Sequence, residues 1–185
     1  TGFGPIGQYQ VRMAADLLGD RLSRVTIFDL RPVDKSMIDF LPQEKVVIAD
    51  NWQDAYKDAD VFITSTVSKA PYIDLPPKKA SLQLNVSLRD FKTSVFDHVK
   101  DTIIVDNWEE ICRQNTDIEN MHLEKGLQKE HTKSIIDMVT DDCMNGYPED
   151  APIMFNPMGM AVFDMALGTY YVKQAQEQKI GQELE

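Results

Sequence analysis

The chain has few cysteines, few basic residues and no long hydrophobic run. Its two cysteines, Cys112 and Cys143, are far apart and lack the spacing of metal ligands. We therefore expect free thiols, no disulfide framework and no metal site, which favours a reducing compartment and a cytoplasmic location. No stretch approaches the roughly 20 consecutive apolar residues that a membrane span requires, so no membrane partner is expected.

Positive charge is scarce as well. The 185 residues carry 19 Lys and Arg against 30 Asp and Glu, which gives a formal net charge of −11. This balance argues against nucleic acids and anionic membranes, because both require a basic face. It leaves a dinucleotide possible, since a pyrophosphate on backbone N–H groups and a helix dipole needs no lysine.

A glycine-rich motif opens the chain. Residues 2–7 read GFGPIG, a complete G-x-G-x-x-G, and an apolar run at residues 25–28 ends at Asp29. In a dinucleotide-binding βαβ unit the first glycine forms a tight turn, the second admits the pyrophosphate and the third lets helix pack on strand. These roles fall on Gly2, Gly4 and Gly7, while Pro5 suits a first helical turn. The alternative is an ordinary turn before a helix.

A βαβ unit of this kind has an apolar strand before the glycine motif. This chain begins one residue before the motif, at Thr1. We therefore expect the chain to be a piece of a longer protein, with the first strand of the sheet missing.

Apolar runs alternate with helical patterns along the rest of the chain. We predict strands at 25–28, 46–49, 61–66, 82–86, 102–106 and 153–155. Helices are predicted at 8–22, 35–41, 50–56, 95–99, 109–139 with a break near 126, and 157–178. Uniformly apolar strands separated by helices predict a three-layer α/β Rossmann-like domain with a mostly parallel sheet, spanning residues 1–185.

Ligands of such sheets bind beyond the carboxyl ends of the strands. Asp29 is placed there to accept hydrogen bonds from the ribose hydroxyls of NAD and to repel a 2′-phosphate. Arg31 could instead accommodate the phosphate of NADP, so NAD is predicted and NADP is less favoured. The predicted cofactor-binding residues are Gly2, Phe3, Gly4, Pro5, Ile6, Gly7, Asp29, Leu30, Arg31, Ser65, Thr66, Val67, Asn85, Val86 and Asn156. For residues 65–67 a plain strand end is an equal alternative.

Asp90 is the candidate catalytic residue. A carboxylate just past a buried strand on the ligand edge can act as a general acid or base. The alternative is a helix N-cap for the segment that follows. The methionine-rich residues 158–165 are interpreted as the apolar face of a packed helix.

Three segments resemble the NAD-binding part of the ornithine cyclodeaminase / mu-crystallin family. They are the glycine motif, residues 85–90 (NVSLRD) in place of an N-x-x-G-x-D turn, and residues 155–164 (FNPMGMAVFD) in place of a G-x-A-x-x-D helix. Residues 105–110, 115–118, 121–126 and 156–161 most resemble the branch that makes 2,3-diaminopropionate. The resemblance covers essentially the whole chain.

The resemblance implies NAD-dependent oxidative cleavage of N-(2-amino-2-carboxyethyl)-L-glutamate to L-2,3-diaminopropionate and 2-oxoglutarate, in siderophore or related secondary metabolism. It implies a small anionic amino-acid substrate and a homodimeric full-length protein. It carries the catalytic aspartate of the family onto Asp90. The N-terminal domain that binds substrate in this family is absent from the chain, so the isolated chain is expected to bind cofactor without turnover.

The chain departs from the family pattern at two places. Ser87 and Leu88 replace a glycine-containing turn, and Pro157 replaces a serine, which shifts any nicotinamide contact to Asn156 or the backbone. Two alternatives stay open. One is a cyclodeaminase or imine reductase of the same family, and the other is a non-catalytic NAD-binding or small-ligand-binding protein like mu-crystallin.

Overall fold

Parallel strands form the frame of the molecule. The computed structural model describes residues 1–182, and every strand pair in that part is parallel. A two-stranded sheet and a five-stranded sheet of order β3-β4-β7-β5-β6 result. The strands are β1 Val25–Ile27, β2 Val46–Ile48, β3 Val61–Thr64, β4 Leu82–Asn85, β5 Ile103–Val105, β6 Lys133–Ser134 and β7 Ile153–Asn156. The predicted α/β Rossmann-like class is confirmed.

Helices connect the strands, and polar side chains fix where several of them begin. Asn51, Asn107, Thr116 and Ser134 each accept a hydrogen bond from a backbone N–H of the first helical turn that follows. Such caps satisfy N–H groups that have no partner inside the helix. The α-helices are α1 Pro5–Leu18, α2 Trp52–Tyr56, α3 Phe96–Val99, α4 Trp108–Ile111, α5 Asp117–Lys125, α6 Ile135–Thr140 and α7 Ala161–Gln178.

Two apolar clusters stabilise the two sheets separately. The larger lies around the five-stranded sheet and includes the fully buried Ile103, Ile118 and Met154. The smaller packs Phe3 and Ile27 with residues next to the two-stranded sheet. Each sheet therefore has its own core.

The two sheets meet at the start of the chain. The N–H of Gly2 donates to the carbonyl of Phe28 (2.8 Å), and the N–H of Ser65 donates to the carbonyl of Thr1 (2.9 Å). Behind these two residues a cavity of about 310 Å³ is lined by α1, by all of β1 and by β3 residues 61–63. We call this region the seam.

Several predicted elements differ from the structure. The break predicted near Gly126 is confirmed, since Gly126 ends α5 in the left-handed conformation, but the rest of the helix predicted at 109–139 is divided further. Gln114 and Asn115 adopt positive φ between α4 and α5, and a 3₁₀ helix at Lys129–His131 and the strand β6 precede α6. The interpretation of residues 158–165 as a packed helix face is wrong for α7, since Val162 and Met165 are 61% and 70% exposed. Within residues 1–182, no helix combines the length and apolar character of a membrane span.

Candidate functional site

The glycine motif turns tightly into α1. Gly2 has φ +82°, and a Cβ built there would lie 2.4 Å from the carbonyl oxygen of Ser65. A Cβ at Gly7 would lie 2.1 Å from the carbonyl oxygen of Gly2. Both glycines are therefore required for close backbone approach, as the motif predicts. Gly4 differs, because a Cβ there would meet only Arg31 Nη2, at 3.8 Å, so the space above the helix N-terminus is open.

Asp29 links the end of β1 to the glycine motif. Its Oδ2 accepts the N–H of Phe3 (2.7 Å) and its Oδ1 accepts the N–H of Arg31 (2.8 Å). Burial alone would raise the pKa of Asp29, but these hydrogen bonds and the Arg31 guanidinium outweigh it and lower the pKa below its usual value. The carboxylate is thus ionised and held beside the open space at Gly4.

The remaining predicted loop residues divide by exposure. Ser65 faces the protein, since its hydroxyl donates to the carbonyl of Gly2 (2.8 Å). Leu30 and Val67 are 93% and 99% exposed, and Ile6 is also exposed. Three apolar side chains therefore lie in solvent: Leu30 and Val67 on the loops after β1 and β3, and Ile6 in the first turn of α1.

Asp90 is completely buried at the carboxyl end of β4. One of its carboxylate oxygens accepts the hydroxyl of Thr66 and the other accepts the hydroxyl of Ser87. The Tyr72 hydroxyl is near, and burial together with the Asp90 charge raises the pKa of Tyr72. Asp90 caps no helix, because the next one, a 3₁₀ helix at Thr93–Val95, has Lys92 at its N-cap.

A buried hydrogen-bond network joins the ends of neighbouring strands. Asn85 accepts from the Thr64 hydroxyl (2.9 Å) and donates to Asn156 Oδ1 (2.9 Å) and to Asp117 Oδ2 (3.0 Å). Asn156 donates to two backbone carbonyls, those of Ile104 and Met154. The structure thus brings the predicted residues Asn85 and Asn156 together, with their side-chain polar atoms already bonded inside the protein.

Asp117 is a buried member of this network that the sequence analysis did not single out. Burial, and secondarily the charge of Asp90, raises its pKa to about 7, against the opposing effect of three hydrogen bonds to its Oδ2. Its Oδ1 has no partner within the described residues. The pattern Thr116-x-x-Glu119, which is typical of a helix start, marks this position in the sequence.

Comparison with known proteins gives one relative in sequence and several in structure. No family model matches the chain. Over 97% of its length the chain is 30% identical to N-((2S)-2-amino-2-carboxyethyl)-L-glutamate dehydrogenase of Staphylococcus aureus (strain NCTC 8325 / PS 47). The chain spans 55% of that protein, or about half its length.

Three solved structures share the fold. Δ¹-pyrroline-2-carboxylate reductase of Thermococcus litoralis, in complex with NADH and L-proline, matches 99% of the chain with a TM-score of 0.84 at 15% identity. The iminosuccinate reductase of Paracoccus denitrificans, in complex with NAD⁺, matches 100% with a TM-score of 0.76 at 18% identity. A probable ornithine cyclodeaminase of Bordetella pertussis matches 97% with a TM-score of 0.67 at 12% identity. The chain covers 59%, 58% and 70% of these three chains.

Proposed function

We propose, from the confirmed resemblance to the ornithine cyclodeaminase / mu-crystallin family, that this chain is the NAD-binding part of an NAD-dependent amino-acid dehydrogenase. The observation that carries the proposal is sequence identity of 30% with a dehydrogenase over 97% of the chain. Two of the structures with the same fold hold NADH or NAD⁺.

The residues at the glycine motif fit a dinucleotide. The open space at Gly4 is where a pyrophosphate would lie against the first-turn N–H groups of α1, which have no carbonyl partner within the helix. Asp29 would accept hydrogen bonds from the ribose hydroxyls. The exposed side chains of Leu30 and Val67 offer apolar surface to the aromatic rings of the dinucleotide. NAD, when bound, supplies the hydride acceptor for the reaction.

We propose N-((2S)-2-amino-2-carboxyethyl)-L-glutamate as the substrate, because it is the substrate in the name of the relative. Its glutamate α-carbon would lose a hydride and its nitrogen a proton, which gives an imine. Water would then add to the imine carbon, and cleavage of the C–N bond would release 2-oxoglutarate and L-2,3-diaminopropionate. We propose siderophore or related secondary metabolism as the pathway, as the family resemblance implies.

Asp90 is the proposed base for the attacking water. Because Asp90 is buried, the proton would pass through the hydroxyl of Ser87 or Thr66, which bind its two oxygens and are themselves only partly buried. Water would give its proton to that hydroxyl oxygen while the hydroxyl gives its own proton to Asp90. Ser87, which stands in the turn where the family has a glycine, would thus serve as a proton relay.

Asp90→Asn in the full-length protein tests this function. With NAD and the proposed substrate, turnover should fall by on the order of 10²–10⁴ while the Kd for NAD stays nearly unchanged, because asparagine keeps the shape and removes the base. NADH absorbance and mass spectrometry of both products measure it. Asp106→Asn, at another buried aspartate of the same edge, is the matched control: it loses one of the two backbone hydrogen bonds that Asp106 accepts, so Tm should fall, whereas turnover should stay within a few-fold of wild type.

Near-normal turnover in Asp90→Asn would retire the catalytic role of Asp90. Absence of turnover in the wild type, with NAD still bound, would favour a non-catalytic binding protein. A second candidate is imine reduction, because two proteins of the same fold are reductases of imines. Oxidation of NADH with iminosuccinate or pyrroline-2-carboxylate, together with no reduction of NAD⁺ by the amine substrate, would establish it.

What we propose about the full-length protein rests on the family resemblance alone. Substrate binding is assigned to a domain outside this chain, so the isolated chain should bind NAD weakly and not turn over. We also propose a homodimer and a cytoplasmic location for the full-length protein. Light scattering on the purified protein tests the first, and imaging of a tagged copy tests the second.

A further inference from the structure

We propose that Asp117 is a positioning residue that holds the Asp90 turn, residues 85–91, in the conformation that the chemistry of Asp90 needs. The proposal rests on the function assigned above to Asp90. It concerns a residue on a different element, since Asp117 is the first residue of α5 and lies 27 positions further along the chain.

The contacts of Asp117 are concentrated on this turn. Its Oδ2 accepts three hydrogen bonds, from Asn85 Nδ2 (3.0 Å) and from the N–H groups of Asp90 (3.1 Å) and Phe91 (3.1 Å). Its own N–H donates to the carbonyl of Leu88 (2.8 Å). One buried residue therefore contacts the turn at its start, its middle and its end.

The turn needs such support because its backbone is unfavourable. Leu88 has φ +62°, a left-handed conformation that costs a residue with a Cβ about 1–2 kcal/mol. The turn also places Ser87 so that its hydroxyl reaches Asp90. If the bonds to Asp117 were lost, relaxation at Leu88 would move Ser87 and Asp90 relative to each other.

Asp117 acts as a hydrogen-bond acceptor and does not need its charge. All three donors converge on Oδ2, and Oδ1 has no partner within the described residues, so a neutral carboxyl or an amide can make the same bonds. Asparagine is therefore a conservative replacement here. Alanine removes the acceptor and leaves three buried donors without it.

Hydrogen exchange in the full-length protein tests the inference without any substrate. In Asp117→Ala, exchange at Asp90 and Phe91 should accelerate ~10- to 100-fold relative to the core amides of β5, while Asp117→Asn stays within a few-fold of wild type. Asp106→Ala is the matched control. Asp106 accepts the N–H groups of Asn107 and Gly159, so its loss should accelerate exchange there and spare the Asp90 turn.

Kinetics supply the second measurement. Asp117→Ala should lower kcat by about 10- to 100-fold with the Kd for NAD unchanged, and Asp117→Asn should restore it. If the alanine variant does not fold, Asp117→Ser replaces it, because the serine side chain is too short for its hydroxyl oxygen to reach the turn.

Two outcomes would overturn the proposal. One is unchanged exchange at Asp90 and Phe91 in Asp117→Ala, and the other is equal disruption by asparagine and alanine. If exchange responds as expected while no substrate is turned over, positioning by Asp117 stands and the assigned reaction fails.

Discussion

At the scale of single residues, we expect the cofactor preference to depend on Asp29 and Arg31, two neighbours of opposite charge. Asp29 is held in place by the N–H groups of Phe3 and Arg31, whereas the Arg31 side chain is 78% exposed and contacts Asp29 only at 3.5 Å. The carboxylate is therefore fixed and the guanidinium is free to move. A fixed negative charge at the ribose should favour NAD over NADP.

Replacing Asp29 by asparagine should shift that preference towards NADP. Asparagine can still accept the N–H of Phe3 but not also that of Arg31, and the charge that repels a 2′-phosphate is lost while the Arg31 guanidinium remains. We expect the ratio of NADP to NAD affinity to rise about 10-fold or more, equivalent to ~1.4 kcal/mol. Calorimetric titration with both cofactors measures it, and an unchanged ratio would assign cofactor choice to other residues.

The raised pKa of Asp117 predicts a pH-dependent stability. A carboxyl group with pKa about 7 in the folded protein and 3.8 in the unfolded chain binds more protons when folded between these values. Its contribution is fully present below about pH 3.8 and is lost as pH rises through 7, by at most about 4 kcal/mol. Urea unfolding should show this slope in wild type relative to Asp117→Asn, and parallel curves would contradict it.

At the scale of elements, the strands were the most predictable part and short polar elements the least. Residues 61–63 and 103–105 are continuous apolar runs, and both lie in strands within the predicted spans 61–66 and 102–106. Strand β6 was missed because Lys133 and Ser134 have neither apolar character nor alternation, and only pairing with β5 makes them a strand. Tertiary contacts thus determine what local pattern cannot.

In the candidate site, too, the parts set by local sequence pattern were predictable and the parts set by tertiary contacts were not. The glycine motif and Asp29 are local patterns, and the structure brings them together. Asp117 is separated from Asp90 by 27 positions, and only packing of α5 against the end of β4 joins them. A helix-start signal at Thr116 predicts where α5 begins but not which turn it meets.

A substitution at the N-terminus of α1 should weaken NAD binding without affecting the folding of the chain. Gly4→Val places a side chain in the space proposed for the pyrophosphate, where its Cβ meets only the end of the exposed Arg31 side chain, and valine tolerates the extended backbone there. NAD affinity should fall by on the order of 100-fold or more, with Tm nearly unchanged. Gly146→Val, where an added Cβ would have no atom within 4 Å, is the control and should bind NAD normally.

At the scale of the whole molecule, apolar surface is unevenly covered. Val99 in α3 is 1% exposed and Val162 in α7 is 61% exposed. Val99→Ala should lower the unfolding free energy of this chain by about 1–3 kcal/mol, because it removes buried methyl groups. Val162→Ala should change it by less than about 0.5 kcal/mol. Urea unfolding measures both, and equal losses would show that α7 is packed in solution.

A cofactor bound across the seam would have a second role, because it would link the part of the chain built on the two-stranded sheet to the part built on the five-stranded sheet. Asp29 and Arg31 belong to the half built on β1 and β2, whereas Thr66 and Asp90 belong to the half built on the larger sheet. A dinucleotide that contacts both halves would hold them in one relative orientation. Its binding free energy would therefore include the free energy of bringing the two halves into that orientation.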